Sequence, residues 1–315
     1  MNLTEVHARR QPGRAPVGMA AVLLPFDENG TIAEEAYVRC LMETVRQGLT
    51  PAVNMDTGYV NLLTDAEKVR VLGIARDALA PTSTPFLAGA FIEGQEGDPV
   101  GLYRREIARI AEHGGTPILF QTARLHNLPA AKVVDAYDRA TRDVPAAYAF
   151  ELGKMFAPNG EIWSAEVFEG ILSIPQIKGA KHSSLDRVIE LDRLATKDRI
   201  RPDFQVFTGN DLGIDMIEYG SDYLLGLAAF SPAKFAERDR LWAAGDTGYF
   251  AVADALQLLG NIAFRAPVPA YKHSAAIFLH LLGIIPTSRT HPRSPERPAW
   301  EREIMTDCAR RLGLL

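Results

Sequence analysis

Eight short runs of apolar, β-favouring residues recur at intervals of about 30 residues, the length of one strand-and-helix unit: Gly18–Leu24, Leu49–Asn54, Pro85–Phe91, Pro117–Phe120, Pro145–Phe150, Ile174–Lys178, Phe204–Phe207 and Tyr223–Leu227. Between them lie segments with helical spacing and helical start signals. Thr31 followed by Glu34, and Thr64 followed by Glu67, can each cap a helix reciprocally. Asp65–Leu79 sets Val69, Leu72, Ala75 and Leu79 on one face, and Pro129 suits a first helical turn ahead of Val133, Val134 and Tyr137. Strict alternation of strands and helices implies parallel strands joined by crossover helices. The runs are continuously apolar, as in strands covered on both faces. Eight such units close most naturally into a (β/α)8 barrel, the TIM-barrel fold, with an open doubly wound sheet as the alternative.

The alternation stops after the eighth unit. Asp246–Phe264, Pro269–Leu282 and Pro298–Leu312 are all helix-like, and Pro286–Pro298 is a Pro-, Ser- and Arg-rich segment expected to be an exposed connection. The expected organisation is a disordered lead-in over 1–15, the barrel over 16–245 and a C-terminal helical extension over 246–315.

A formal charge of −5 leaves no basic surplus for nucleic acid or an anionic membrane surface, so neither is an expected partner. A small-molecule substrate is. The two cysteines, Cys40 and Cys308, lie far apart in helix-like segments and form no disulfide or metal motif. The polar N-terminus lacks a signal peptide's apolar core, and no stretch approaches the roughly 18 apolar residues of a membrane span, so a cytoplasmic setting is expected. No nucleotide-binding glycine motif, P-loop or G-x-S-x-G elbow is present. His273 and His280 are not at the three- or four-residue spacing of a helical metal site, so no metal and no cofactor are expected.

Barrel enzymes gather their active residues at the carboxyl ends of the strands. The sixth run, Ile174-Pro-Gln-Ile-Lys178, ends on a lysine between Ile177 and Gly179. A partly desolvated ammonium there has a lowered pKa and a lone pair available to attack a carbonyl, whereas a plain surface lysine would merely begin a loop.

Around this lysine the sequence resembles the dihydrodipicolinate synthase and N-acetylneuraminate lyase family of class I aldolases. Ile177-Lys178-Gly-Ala is similar to the family's strand-six signature. Leu24-Pro-Phe-Asp-Glu-Asn-Gly30, Asp56-Thr-Gly-Tyr-Val-Asn-Leu-Leu-Thr64, Thr208-Gly-Asn-Asp211, Gly220-Ser-Asp through Ser231-Pro, and Pro267-Val-Pro-Ala-Tyr-Lys272 resemble other family segments in the family's order. The resemblance implies a homo-oligomer, tetramer or dimer, and a lyase of aldolase or hydro-lyase type. Lys178 would form a Schiff base with a keto acid or related carbonyl compound.

The same resemblance implies that the segment Asp56, Thr57, Gly58 meets the substrate, although Asp56 replaces a threonine hydroxyl donor with an anion. Two like charges about 4 Å apart at an effective dielectric of about 20 repel by about 4 kcal/mol, so Asp56 must point elsewhere, be protonated or find a cation. The family's proton-relay tyrosine aligns with Ala149, one residue after Tyr148, and neighbours on a strand face opposite sides. Tyr148 serves only with a bulge or shifted register. Lys154 aligns with a carboxylate-steering arginine and can also pair with Asp56 or Glu151. Strand four offers Arg124 and His126 as substitutes, and Gly209 and Asn210 stand at the mouth of strand seven. Lys181 and His182 either act as nearby cations that lower the pKa of Lys178 or, the favoured reading, begin the next helix, with Ser183 or Ser184 as its cap. A family member that has lost the chemistry and serves as a small-molecule-binding or regulatory protein is the alternative, as is a barrel isomerase without covalent catalysis.

Overall fold

The computed structural model describes residues 1–315. Strands β1 (Gly18–Ala21), β2 (Thr50–Val53), β3 (Leu87–Ala90), β4 (Thr116–Phe120), β5 (Ala147–Leu152), β6 (Ile177–Ser183), β7 (Gln205–Thr208) and β8 (Asp222–Leu225) form a closed barrel in chain order. All neighbours run parallel, and β1 closes on β8. The expected (β/α)8 fold is the observed one, with no open edge.

Helices α2 (Glu34–Arg46), α3 (Asp65–Leu79), α4 (Pro99–Glu112), α5 (Ala130–Thr141), α6 (Ala165–Leu172), α7 (Arg187–Ile200) and α8 (Pro232–Ala244) return the chain between strands or follow the last one. The Thr64 and Glu67 capping box at the head of α3 is present in both directions. The Thr31 cap is not: Ala33 precedes α2 without a side-chain cap. On α3 the buried stripe runs through Val71, Leu72, Ala75 and Leu79, with Val69 exposed.

Side chains divide by strand parity. Ala149, Ile177 and Ala180 face the helices as part of the large outer core, while Phe120, Phe150, Leu152, Phe207 and Leu224 fill the barrel interior. Strand β6 carries one irregularity that fixes the site. Ala147 pairs with Ile177 but Tyr148 pairs with Gly179, so Lys178 is an extra residue bulged out of the ladder. Beyond it the register is regular, and Phe150 pairs with Lys181.

Three further helices, α9 (Gly248–Ala263), α10 (Tyr271–Leu281) and α11 (Glu301–Arg311), follow the barrel. The segment between α10 and α11 is less exposed than its composition predicts. Thr287, Thr290, His291, Ser294 and Arg297 are buried, and Thr287 Oγ1 donates to the Phe26 carbonyl at 3.0 Å. The expected disordered lead-in also differs. It contains the helix α1 (Leu3–Ala8) with an Asn2 capping box, and it is tied beneath the barrel by ion pairs of Arg10 with Glu218 (2.6 Å) and Arg14 with Asp222 (2.8 Å). No helix is long and apolar enough to cross a membrane.

Candidate active site

Lys178, expected at the carboxyl end of strand six, stands at its amino end. Its bulged side chain turns out of the barrel, and its ammonium donates to the Pro175 carbonyl at 2.7 Å. The strand continues for five residues past it. The lysine that the barrel places inside is Lys181, which, with His182 and Ser183, the sequence reading assigned to the start of the next helix. That helix, α7, begins later and is capped by Asp186.

Lys181 is buried, and its ammonium stands 4.4 Å from the centroid of the Phe150 ring. Burial pushes its pKa down from 10.5 to about 8, against the opposing charges of Asp211 and Asp56. Asp211 lines the same cavity, accepts from the Leu227 N–H at 2.7 Å, and has its pKa pushed up by burial to about 7, with Lys181 acting in the opposite direction. A desolvated amine and a desolvated acid thus face one cavity, each near the neutral range where proton exchange is effective.

Room for this lysine depends on Gly209. A methyl group there would lie 2.5 Å from Lys181 Cε and would overlap Ser183 Oγ. Gly209 lines the cavity and leaves room for the Lys181 stem by having no side chain. Ser183 Oγ lines the cavity, is buried, and has no hydrogen-bond partner.

Asp56 and Thr57 form a short 3-10 turn, Asp56–Gly58, after β2. The cation that answers the Asp56 charge is Lys272, whose ammonium lies 3.2 and 3.1 Å from the two carboxylate oxygens. Tyr271 completes the arrangement. Its hydroxyl donates to Asp56 Oδ2 at 2.8 Å and lies 2.9 Å from Thr57 Oγ1, while its ring stacks on Phe264 with centroids 4.2 Å apart. Both Tyr271 and Lys272 come from the helical extension, so the extension builds part of the barrel mouth. Gly58 belongs to the same turn but does not line the cavity.

The other candidates lie elsewhere. Tyr148 faces the barrel interior one layer below Phe150, at the level of Ile118, with its ring 5.6 Å from that of Phe207. Its raised pKa comes from burial and from Asp222 at the amino end of β8, so its hydroxyl is directed away from the mouth. Lys154 is exposed and outside the cavity. Glu151, its other suggested partner, is taken by His182 (2.6 Å) and Arg193 (3.1 Å) on the outer face of the sheet. Arg124 donates to the Gly97 carbonyl. Asn210 uses its side-chain oxygen to accept from the Leu212 N–H at 3.0 Å, shaping the loop rather than facing the cavity. His126, 3.6 Å from Glu161, borders a roomier cavity between α5 and α6 that contains no lysine.

Sequence reasoning missed Lys181, Asp211, Ser183, Tyr271 and Lys272 as site residues. The signal available for Lys181 was parity: Gly179, Lys181 and Ser183 alternate with Ala180 and His182, as a strand lining a polar mouth requires.

No protein-family model and no curated protein matches this sequence. Solved structures match the fold over nearly the whole chain. A dihydrodipicolinate synthase from Thermotoga maritima is similar with a TM-score of 0.80 and 17% identity, covering 96% of this chain and 100% of its own. A prophage protein of the dihydrodipicolinic acid synthase family from E. coli K12, in complex with pyruvate, gives a TM-score of 0.83 at 13% identity over 95% of this chain and 99% of its own. The chloride-inhibited dihydrodipicolinate synthase from Acinetobacter baumannii, complexed with pyruvate, gives 0.78 at 18% identity over 96% and 100%. The chain has the fold of these dihydrodipicolinate synthase structures.

Proposed function

We propose that this protein is a Schiff-base-forming lyase of the class I aldolase type, cleaving or forming a carbon–carbon or carbon–oxygen bond next to a carbonyl group, with Lys181 in the role the sequence reading gave to Lys178. The observation that carries the reading is a buried lysine at the barrel mouth, its ammonium 4.4 Å from the Phe150 ring centroid in a cavity it shares with Asp211; desolvation there lowers its pKa to about 8. The fold shared with dihydrodipicolinate synthases supports it.

The neutral Lys181 amine attacks the carbonyl carbon, giving a carbinolamine; loss of water leaves an iminium. The iminium accepts the electron pair released when the α C–H or the Cα–Cβ bond breaks, forming an enamine; the enamine then takes a proton or a carbon electrophile at Cα, or expels a protonated β-hydroxyl as water, and hydrolysis of the resulting iminium returns the amine. Each step moves a proton. Asp211, near neutrality in pKa, and the Thr57, Tyr271 and Asp56 chain are the groups positioned to carry them. The Tyr271 hydroxyl, bonded to Asp56 and Thr57 at the cavity wall, gives the site a group able to pass protons, which weighs against a purely binding or regulatory role.

Exchange of α-protons tests the reading. Incubated in D2O with a panel of small ketones, aldehydes and keto acids, the protein is expected to wash deuterium into the α-position of at least one, seen by proton NMR. Lys181→Ala abolishes the exchange and Lys178→Ala retains it. Exchange that survives Lys181→Ala contradicts the proposal.

A further inference from the structure

The polar atoms around Lys181 also carry information about the molecule that reaches it, on the premise that Lys181 forms the imine. Among the residues lining the cavity, Lys181 is the one base and Asp56 and Asp211 are two acids; no arginine and no histidine lines it. Lys272 acts there only through Asp56, whose two oxygens it already holds.

The hydroxyl donors are committed too. Tyr271 gives its single proton to Asp56, and Thr57 is bonded to Tyr271. Ser183 Oγ is the one buried hydroxyl in the cavity with no partner. The rest of the wall is apolar, with Phe150, Leu152, Phe156 and Phe264 among it.

A carboxylate beside the reacting carbonyl presents two anionic oxygens that need several N–H or O–H donors, best a bidentate guanidinium. Beyond the reacting Lys181, this cavity meets it with Asp56, Asp211 and aromatic rings, and with Ser183 Oγ as the one hydroxyl not already committed. A hydroxyl group in the same place finds the opposite: Asp56 or Asp211 accepts its proton, and Ser183 donates to its oxygen. We infer that the substrate forming the imine at Lys181 is an uncharged hydroxylated aldehyde or ketone rather than a 2-keto acid. In this the chain departs from the two similar structures that hold pyruvate.

Parallel borohydride trapping tests the substrate class separately from the lysine. The full chain is incubated with hydroxyacetone, acetone or pyruvate at equal concentration and reduced. Adduct at Lys181 is quantified by peptide mass spectrometry and divided by the adduct each carbonyl forms with free Nα-acetyl-lysine. A hydrogen bond to a carboxylate acceptor gained by a hydroxyl, where a substrate carboxylate meets acceptors and only the Ser183 hydroxyl free to donate, leads us to expect hydroxyacetone to exceed pyruvate by at least about tenfold, and to exceed acetone. Asp56→Asn narrows the gap to pyruvate. A smaller ratio, or faster labelling by pyruvate, overturns the substrate class while leaving Lys181 as the nucleophile. Absence of Lys181 adduct with all three carbonyls overturns the lysine reading and this inference with it.

Discussion

Phe150 and Lys181 are register partners on adjacent strands, and the lysine ammonium stands 4.4 Å from the centre of the phenyl ring. A ring face attracts a cation but offers no lone pair to replace its lost water. Desolvation therefore outweighs the nearby carboxylates, and the pKa falls to about 8. The fraction of free amine grows as pH rises through that value. Imine formation at Lys181 is expected to increase to about pH 8 and level off above it, whereas an ordinary lysine keeps gaining up to about pH 10.4. The pH profile of borohydride-trapped adduct at Lys181 measures this. A profile still climbing steeply above pH 9.5 or so removes the desolvation argument.

Gly209 faces the Lys181 stem, and a methyl group there would stand 2.5 Å from Cε. The atoms met belong to side chains rather than backbone, so Gly209→Ala is expected to fold, with an overpacking cost of about 1–3 kcal/mol. Displacing a reacting atom by about 1 Å lowers reaction rates by about a hundredfold. The variant should thus keep its circular dichroism spectrum and lose Lys181 labelling by that order.

Tyr271→Phe separates imine formation from proton transfer. Lys272 still neutralises Asp56, so labelling of Lys181 should change little. Deuterium exchange, which needs the hydroxyl chain, should fall by about 10² to 10⁴. Equal loss of both signals would show that Tyr271 serves only the shape of the mouth.

Behind the sheet, Glu151 accepts from His182 at 2.6 Å, from Arg193 at 3.1 Å and from the Trp163 N–H at 2.9 Å. Burial alone would lower the His182 pKa, but the bond and charge of Glu151 outweigh it and raise it above 6.5. Burial likewise opposes ionisation of Glu151, and His182 and Arg193 reverse that, lowering its pKa below 4.5. A raised histidine contributes stability that is complete below its unfolded pKa and lost as pH rises through the folded one. A depressed carboxylate contributes stability lost as pH falls through its folded value. The melting temperature should therefore decline on both sides of a plateau. Glu151→Gln strands a buried guanidinium, costing about 3–5 kcal/mol, and removes the alkaline decline. Melting curves across pH for both proteins check the two effects.

The barrel was legible because its evidence is repetitive: eight apolar runs survive an error in any one of them. The Thr64 and Glu67 cap and the bounds of α3 were equally plain, being set by neighbouring residues. The site was harder to read because β6 breaks the rule that revealed the others. Its barrel-facing positions are Gly179, Lys181 and Ser183, so the apolar run appears to end at Ile177, and the first lysine seen was the bulged Lys178. Tyr271 and Lys272 stood in a recognised segment, but their approach to Asp56 spans more than 200 residues of chain and depends on how the extension folds back. Asp56 raised the right question, and the answer was a cation too distant in sequence to be found by spacing.

The central claim is that the reactive lysine is Lys181 and not Lys178. Borohydride reduction of the intact chain with a carbonyl that labels it, followed by peptide mapping across residues 174–187, decides between them. The account predicts the added mass on Lys181, absent in Lys181→Ala and undiminished in Lys178→Ala. Mass found on Lys178, with Lys181 unmodified, would contradict it.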